Sequence, residues 1–124
     1  MKTAHVSESA PRPIGPYSQV VRAGQLLFLS GQIPLTADGK LIEADVAAQA
    51  RQVMENLKAV LHAAGASMNQ VVRTTIFLAD LAHFETVNKV YSEYFEEPYQ
   101  ARSTIQAGKL PKGASLEIDA IAVI

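Results

Sequence analysis

Leu116-Glu117-Ile118-Asp119-Ala120-Ile121-Ala122-Val123-Ile124 is the segment whose reading decides the fold. Side chains of a strand alternate between two faces, so Leu116, Ile118, Ala120 and Ala122 share one face while Ile121 and Val123 occupy the other. Both faces ask for burial. Val71 to Leu78 repeats the situation: it is rich in β-branched residues, too short for a helix, and sets Val71 and Phe77 opposite Val72, Ile76 and Leu78.

Working outward, Val46, Ala50, Val53, Met54, Leu57, Val60, Leu61 and Ala64 recur at helical spacing, with Asp45 as start cap and Gly65 as stop. A second helix carries Phe84, Val87, Tyr91, Tyr94 and Phe95 and ends before Pro98, whose ring would break the ladder. Val20–Arg22 and Leu26–Ser30 form a hairpin across Ala23-Gly24-Gln25, with a further short strand near His5. Ser103–Ala107 and Leu116–Ile124 are two strands joined around Leu110-Pro111-Lys112-Gly113. The expected architecture is one α+β domain over residues 1–124, a mixed sheet with two helices on one face. Two helices cover one sheet face only, so the apolar residues on the other face predict a closed homo-oligomer.

Composition narrows the function. The 124 residues carry 11 Lys+Arg against 12 Asp+Glu, a net charge of −1, which supplies no general field for nucleic acid or anionic lipid. Cysteine is absent, which removes disulfides, thiolate nucleophiles and sulfur-ligated zinc. His5, His62 and His83 stand far apart without metal-ligand spacing, and GxSxG, GxGxxG and P-loop motifs are missing. No apolar run approaches the ~20 residues of a membrane helix, and Met1 to Pro13 has no signal-like apolar block, so a cytoplasmic protein is expected.

The polar residues set among apolar ones are Tyr17, Ser30, Asn88, Arg102 and Glu117. Arg102 and Glu117 have two readings. They form a cross-strand ion pair, or the arginine fork receives a carboxylate ligand while the glutamate orients or deprotonates water. Tyr17 is either a loop aromatic at the core edge or a ligand contact. Asn88 reads as a solvated helix position, and Ser30-Gly31 as a strand end whose glycine could let a backbone N–H approach an anion.

At these residues the chain resembles the reactive-intermediate deaminase family, RidA or YjgF. The resemblance is carried by Ile14-Gly15-Pro16-Tyr17-Ser18-Gln19, Ser30-Gly31-Gln32-Ile33-Pro34, Asp45 to Gln52, Thr86-Val87-Asn88, Ala101-Arg102-Ser103 and Leu116-Glu117-Ile118. It implies a chorismate-mutase-like subunit in a homotrimer, and hydrolysis of 2-imino acids such as 2-aminoacrylate, 2-iminopropanoate and 2-iminobutanoate to 2-keto acids and ammonia, without a cofactor. These imines arise from pyridoxal-phosphate dehydratases. By the same resemblance Arg102 clamps the substrate carboxylate, Glu117 positions water, Tyr17, Ser30, Gly31 and Asn88 line the cleft, and the main chain at Thr104 contacts the imine nitrogen. Two departures stand out: Thr104 where many members carry cysteine, with activity expected to survive, and Gln100 where they carry proline, which could loosen the approach to Arg102. The same broad family also contains ligand-responsive regulators, chaperones and ribonucleases, so a non-catalytic binding trimer is the alternative.

Overall fold

A computed structural model describes residues 1–124. The strands are β1 (Lys2–His5), β2 (Val20–Ala23), β3 (Leu26–Gln32), β4 (Val71–Leu78), β5 (Ala101–Gln106) and β6 (Leu116–Val123). The helices are α1 (Val46–Ala63) and α2 (Phe84–Ser92). One mixed sheet runs in the order β1-β2-β3-β6-β4-β5, antiparallel except for the β4–β5 pair. The parallel pair follows from the crossover through α2, which returns the chain to the end where β4 began. Both helices pack on one face, as the periodicity requires.

The helix face is the core. From β6 it takes Leu116, Ile118, Ala120 and Ala122, and from α1 it takes Ala50, Val53, Met54, Leu57, Val60 and Leu61, all buried in one cluster. Asp45 caps α1 as its position implied, its carboxylate accepting from the Ala48 N–H at 2.8 Å. Gly65 adopts φ of 81°, and the N–H groups of Gly65 and Ala66 close back on the carbonyls of His62 and Leu61. That is a Schellman stop, which needs a residue free to enter the left-handed region.

Four expectations are corrected. First, the register between β4 and β6 shifts between Val71 and Arg73, so Val71, not Val72, joins Ile76 and Leu78 in the core; Val72 is 43% exposed. Such an irregularity inverts the alternation on one side of it. Second, Ser30 and Gly31 do not end their strand. They lie within β3, where the two residues between Leu29 and Gln32 stand against the single residue between Ala120 and Ile118. The extra residue turns Gln32 toward the core, where it is buried. Third, α2 stops at Ser92, with Tyr94 and Phe95 in the segment beyond it; Phe95 still reaches the core and its ring lies 4.7 Å from that of Tyr91. Fourth, the arginine-bearing strand begins at Ala101 and ends at Gln106, and it is not the neighbour of β6, because β4 lies between them.

The second sheet face is open. It presents Leu26, Phe28, Ile105 and Val123 as exposed apolar side chains, with Phe77 and Ile121 half-buried among them. No helix of the structure is long and apolar enough to cross a membrane.

The α1 cap yields a direct test. Asp45→Ala removes the acceptor of one helix-terminal N–H and should lower stability by about 1 kcal/mol, read as a shift in urea midpoint at constant m-value.

Candidate active site

Arg102 lies near the start of β5, opposite Thr74 of β4. Residues opposite one another in register share a face, so Arg102 lies on the helix side with buried Thr74. Its guanidinium meets α2. Nη1 donates to Asn88 Oδ1 at 2.6 Å, and the guanidinium carbon stands 5.5 Å from the Phe84 ring centroid and 5.1 Å from that of Tyr91. No carboxylate pairs with it; the ion pairs of the chain are Arg12–Glu8, Lys40–Asp38 and Arg51–Glu93. Asn88, Tyr91, Tyr99, Gln100 and Arg102 line a cleft of about 380 Å³. An arginine fixed at one nitrogen, stacked on aromatic faces and free of acidic partners can receive a carboxylate through its remaining N–H groups.

Asn88 is therefore no solvated helix position but the residue that pins the fork. Gln100 donates its amide nitrogen to the hydroxyl of Tyr91, one of the two rings beside the Arg102 guanidinium. Thr104 stands two residues further along β5 on the same side, opposite Ile76, and its hydroxyl oxygen is buried without a hydrogen-bond partner. Tyr91 and Phe84, read from periodicity as core positions, are additional contacts of Arg102. A usable signal existed for Tyr91: Thr74 is a hydroxyl residue in phase with Ile76 and Leu78, and it requires a buried partner, which Tyr91 supplies at 2.6 Å.

Glu117 belongs to the other face. It sits opposite Phe77 of β4, three residues along from Thr74 and one strand further across, so the Arg102 and Glu117 Cα atoms are separated by roughly 14 Å on standard sheet spacings. The cross-strand ion pair is excluded within one chain. Glu117 instead fills the space beside Gly31: a Cβ built on Gly31 would fall 2.1 Å from Glu117 Oε2. Here glycine is required by space and not by a positive φ. Burial, and then the charge of Asp119 two residues on, push the Glu117 carboxyl above the ordinary carboxylate range. It has neither a salt bridge nor a hydrogen bond within the chain.

Ser30 is held next to Gly31 by two bonds to the loop before β2, its N–H to the Gln19 carbonyl at 3.0 Å and its hydroxyl to the Ser18 carbonyl at 2.6 Å. Gln19 is itself buried, accepting from the Ser7 N–H and donating to the Pro11 carbonyl. The loop is thus fixed at both ends, and Tyr17 projects from it 53% exposed, lining with Ser30 and Phe28 a second cleft of about 520 Å³. The structure brings together two groups of the sequence-derived residues: Arg102, Asn88 and Thr104 on the helix side at the β5 edge, and Glu117, Gly31, Ser30 and Tyr17 on or beside the open face. It does not join the two groups in one chain.

The model of the family described as Endoribonuclease L-PSP matches residues 7–124. The chain is similar to a protein named 2-iminobutanoate/2-iminopropanoate deaminase from Escherichia coli K12, 44% identical over 126 residues that cover 99% of this chain and 98% of the other. It is similar also to the chloroplastic Reactive Intermediate Deaminase A of Arabidopsis thaliana, 47% identical over 119 residues, 95% of this chain and 64% of that one. Among solved structures, that of E. coli TdcF with bound serine has a TM-score of 0.92 at 44% identity, covering 98% of both chains.

Three outcomes follow from the Glu117 environment. Gly31→Ala should leave the fold intact, because every atom it meets belongs to the Glu117 side chain and none to backbone, and should swing that side chain out of its place, visible as a changed side-chain resonance. The carboxyl titration of Glu117 should have its midpoint above the ordinary carboxylate range and move down in Asp119→Asn. Since the folded-state value is raised, Glu117 favours folding at low pH and loses that contribution as pH rises through its midpoint. Glu117→Gln should accordingly be more stable than wild type at pH 7, with the difference vanishing in acid.

Proposed function

Because this chain belongs to the Endoribonuclease L-PSP family, as its resemblance to the reactive-intermediate deaminases implied, we propose that it hydrolyses 2-imino acids to 2-keto acids and ammonia. The observation that carries the reading is an arginine fork pinned by Asn88 and flanked by two aromatic rings, with no acidic partner in its own chain. A 2-imino acid offers the carboxylate that this fork fits. Its C=N carbon is already electrophilic, so the protein has to supply orientation and a base rather than a strong nucleophile.

Arg102 and Glu117 lie on opposite faces, so the reading requires the site to be assembled from two copies of the chain. The open face with Leu26, Phe28, Ile105 and Val123 is the apolar surface that a neighbouring copy would cover, and a homotrimer closes such head-to-tail contacts. In that assembly Arg102 of one copy holds the carboxylate and Glu117 of the next orients a water toward C2. Glu117 accepts a proton as the water oxygen bonds to C2 and the C=N π pair moves to nitrogen, and it hands that proton to the nitrogen to give a carbinolamine. It then takes the carbinolamine hydroxyl proton and passes it to the amino group as the C–N bond breaks, so that the carbonyl forms, ammonia leaves and the carboxylate is regenerated. Ser30, Gly31 and Tyr17 shape the side of the cleft around Glu117, and the main chain at Thr104 faces the imine nitrogen. The imines themselves would be supplied by pyridoxal-phosphate enzymes that eliminate water from hydroxyamino acids.

The test is a coupled assay in which a serine or threonine dehydratase generates the imine and its loss is followed by absorbance. Arg102→Ala should weaken 2-ketobutyrate binding by about 2–3 kcal/mol, the worth of charge-assisted hydrogen bonds. Glu117→Gln should keep that binding and lose turnover. Mixing the two inactive variants under subunit exchange should restore activity at about one site in four, since each site draws its arginine and its glutamate from different chains. A stable monomer by light scattering, or no recovery on mixing, would count against the shared site. Ketoacid binding without imine hydrolysis by the wild type would assign a ligand-sensing role instead.

A further inference from the structure

The surroundings of Arg102 contain a feature that clamping a carboxylate does not by itself demand. Tyr91 presents its ring to the guanidinium at 5.1 Å, and its hydroxyl is engaged twice, receiving the Gln100 amide and meeting Thr74 Oγ1 at 2.6 Å. The Tyr91 oxygen accepts from the Gln100 amide and shares a hydrogen bond with the Thr74 hydroxyl, so the three side chains form one connected chain. Thr74 is 1% exposed in the centre of β4. Gln100 precedes β5, one residue before Ala101 and two before Arg102. The three residues therefore tie the segment entering β5 to the middle of the sheet through the aromatic ring on which the guanidinium rests.

From this juxtaposition we infer that Gln100 and Tyr91 are positioning residues for carboxylate recognition: they fix the plane of the Arg102 fork, and Gln100 is the adjustable end of the brace. The inference rests on the reading of Arg102 as the carboxylate clamp. The physical reason is preorganisation. An arginine side chain carries about 2 kcal/mol of rotamer entropy, and ligand binding must otherwise supply the ordering of whatever part of it is not already held. Asn88 holds one nitrogen, which leaves rotation about that contact. The Tyr91 ring face opposes that rotation only while the ring itself is fixed, and a tyrosine whose hydroxyl is held by Gln100 and Thr74 cannot tilt.

The experiment uses the assembled protein and two variants. Gln100→Ala removes the brace, and Tyr91→Phe keeps the ring and its packing while removing the hydroxyl, so folding survives. Both should weaken calorimetric binding of 2-ketobutyrate by about five- to tenfold, the worth of a neutral hydrogen bond. Both should raise KM for the imine while kcat stays within about twofold, the pattern of lost uniform binding. The Arg102 Nε–H resonance, sharp in the wild type, should broaden in each. A lowered kcat with unchanged KM and unchanged ketoacid affinity would mean a smaller folded fraction and overturn the inference, as would wild-type values and a sharp resonance in both variants. If the wild type fails to bind 2-ketobutyrate, the clamp reading itself falls and this inference falls with it.

Discussion

The two faces of the sheet depend on β6 staying in phase with both of its neighbours. Its core residues alternate without interruption from Leu116 to Ala122, whereas β3 carries one residue more than β6 between Leu29 and Gln32, and β4 shifts between Val71 and Arg73. Each irregularity corrects the alternation of a neighbour and leaves β6 straight. In β3 the correction also clears a space: Gly31 stands where a side chain would collide with Glu117, so the carboxylate lies flat against backbone. A half-buried acid with a raised pKa is thus a product of strand register as much as of residue choice.

Keeping Arg102 and Glu117 apart in one chain has an electrostatic effect. Had they been neighbours across a ladder, each would have satisfied the other, and the arginine would have been lost as a receptor for an outside anion. The sheet separates them, and the arginine turns instead to an amide oxygen and two ring faces, none of which carries a formal charge. The glutamate, beside Asp119 and without a cation, becomes more basic rather than less.

Much of this was legible in the sequence. The helical stripe from Val46 to Ala64, the caps at Asp45 and Gly65, the glycine turn before Leu26 and the two-faced β6 are local patterns, and local patterns specify local structure. The candidate residues were legible as polar side chains out of place, and they fall into two real clusters. What escaped was everything set by pairing between distant strands. Nothing local to Arg102 or Glu117 says that β4 lies between them, nor that Val71 rather than Val72 faces inward, because strand order and bulges are decided by which edges are free when the chain closes. The role of Tyr91 escaped for a related reason: a helical stripe reports that a ring is buried, and only the facing strand, through Thr74, decides whether its hydroxyl has work to do.

The position of β6 also has a consequence for biosynthesis. Residues 1 to 32 can form the β1-β2-β3 meander, and residues 71 to 106 the β4–α2–β5 unit, but no ladder joins the two until residues 116–123 enter between them. On the ribosome the chain therefore carries two unpaired edges, those of β3 and β4, until its final strand emerges. Premature termination anywhere before Leu116 leaves both edges open at once, and a fragment of more than nine-tenths of the chain would be an aggregation hazard for nascent-chain chaperones to manage.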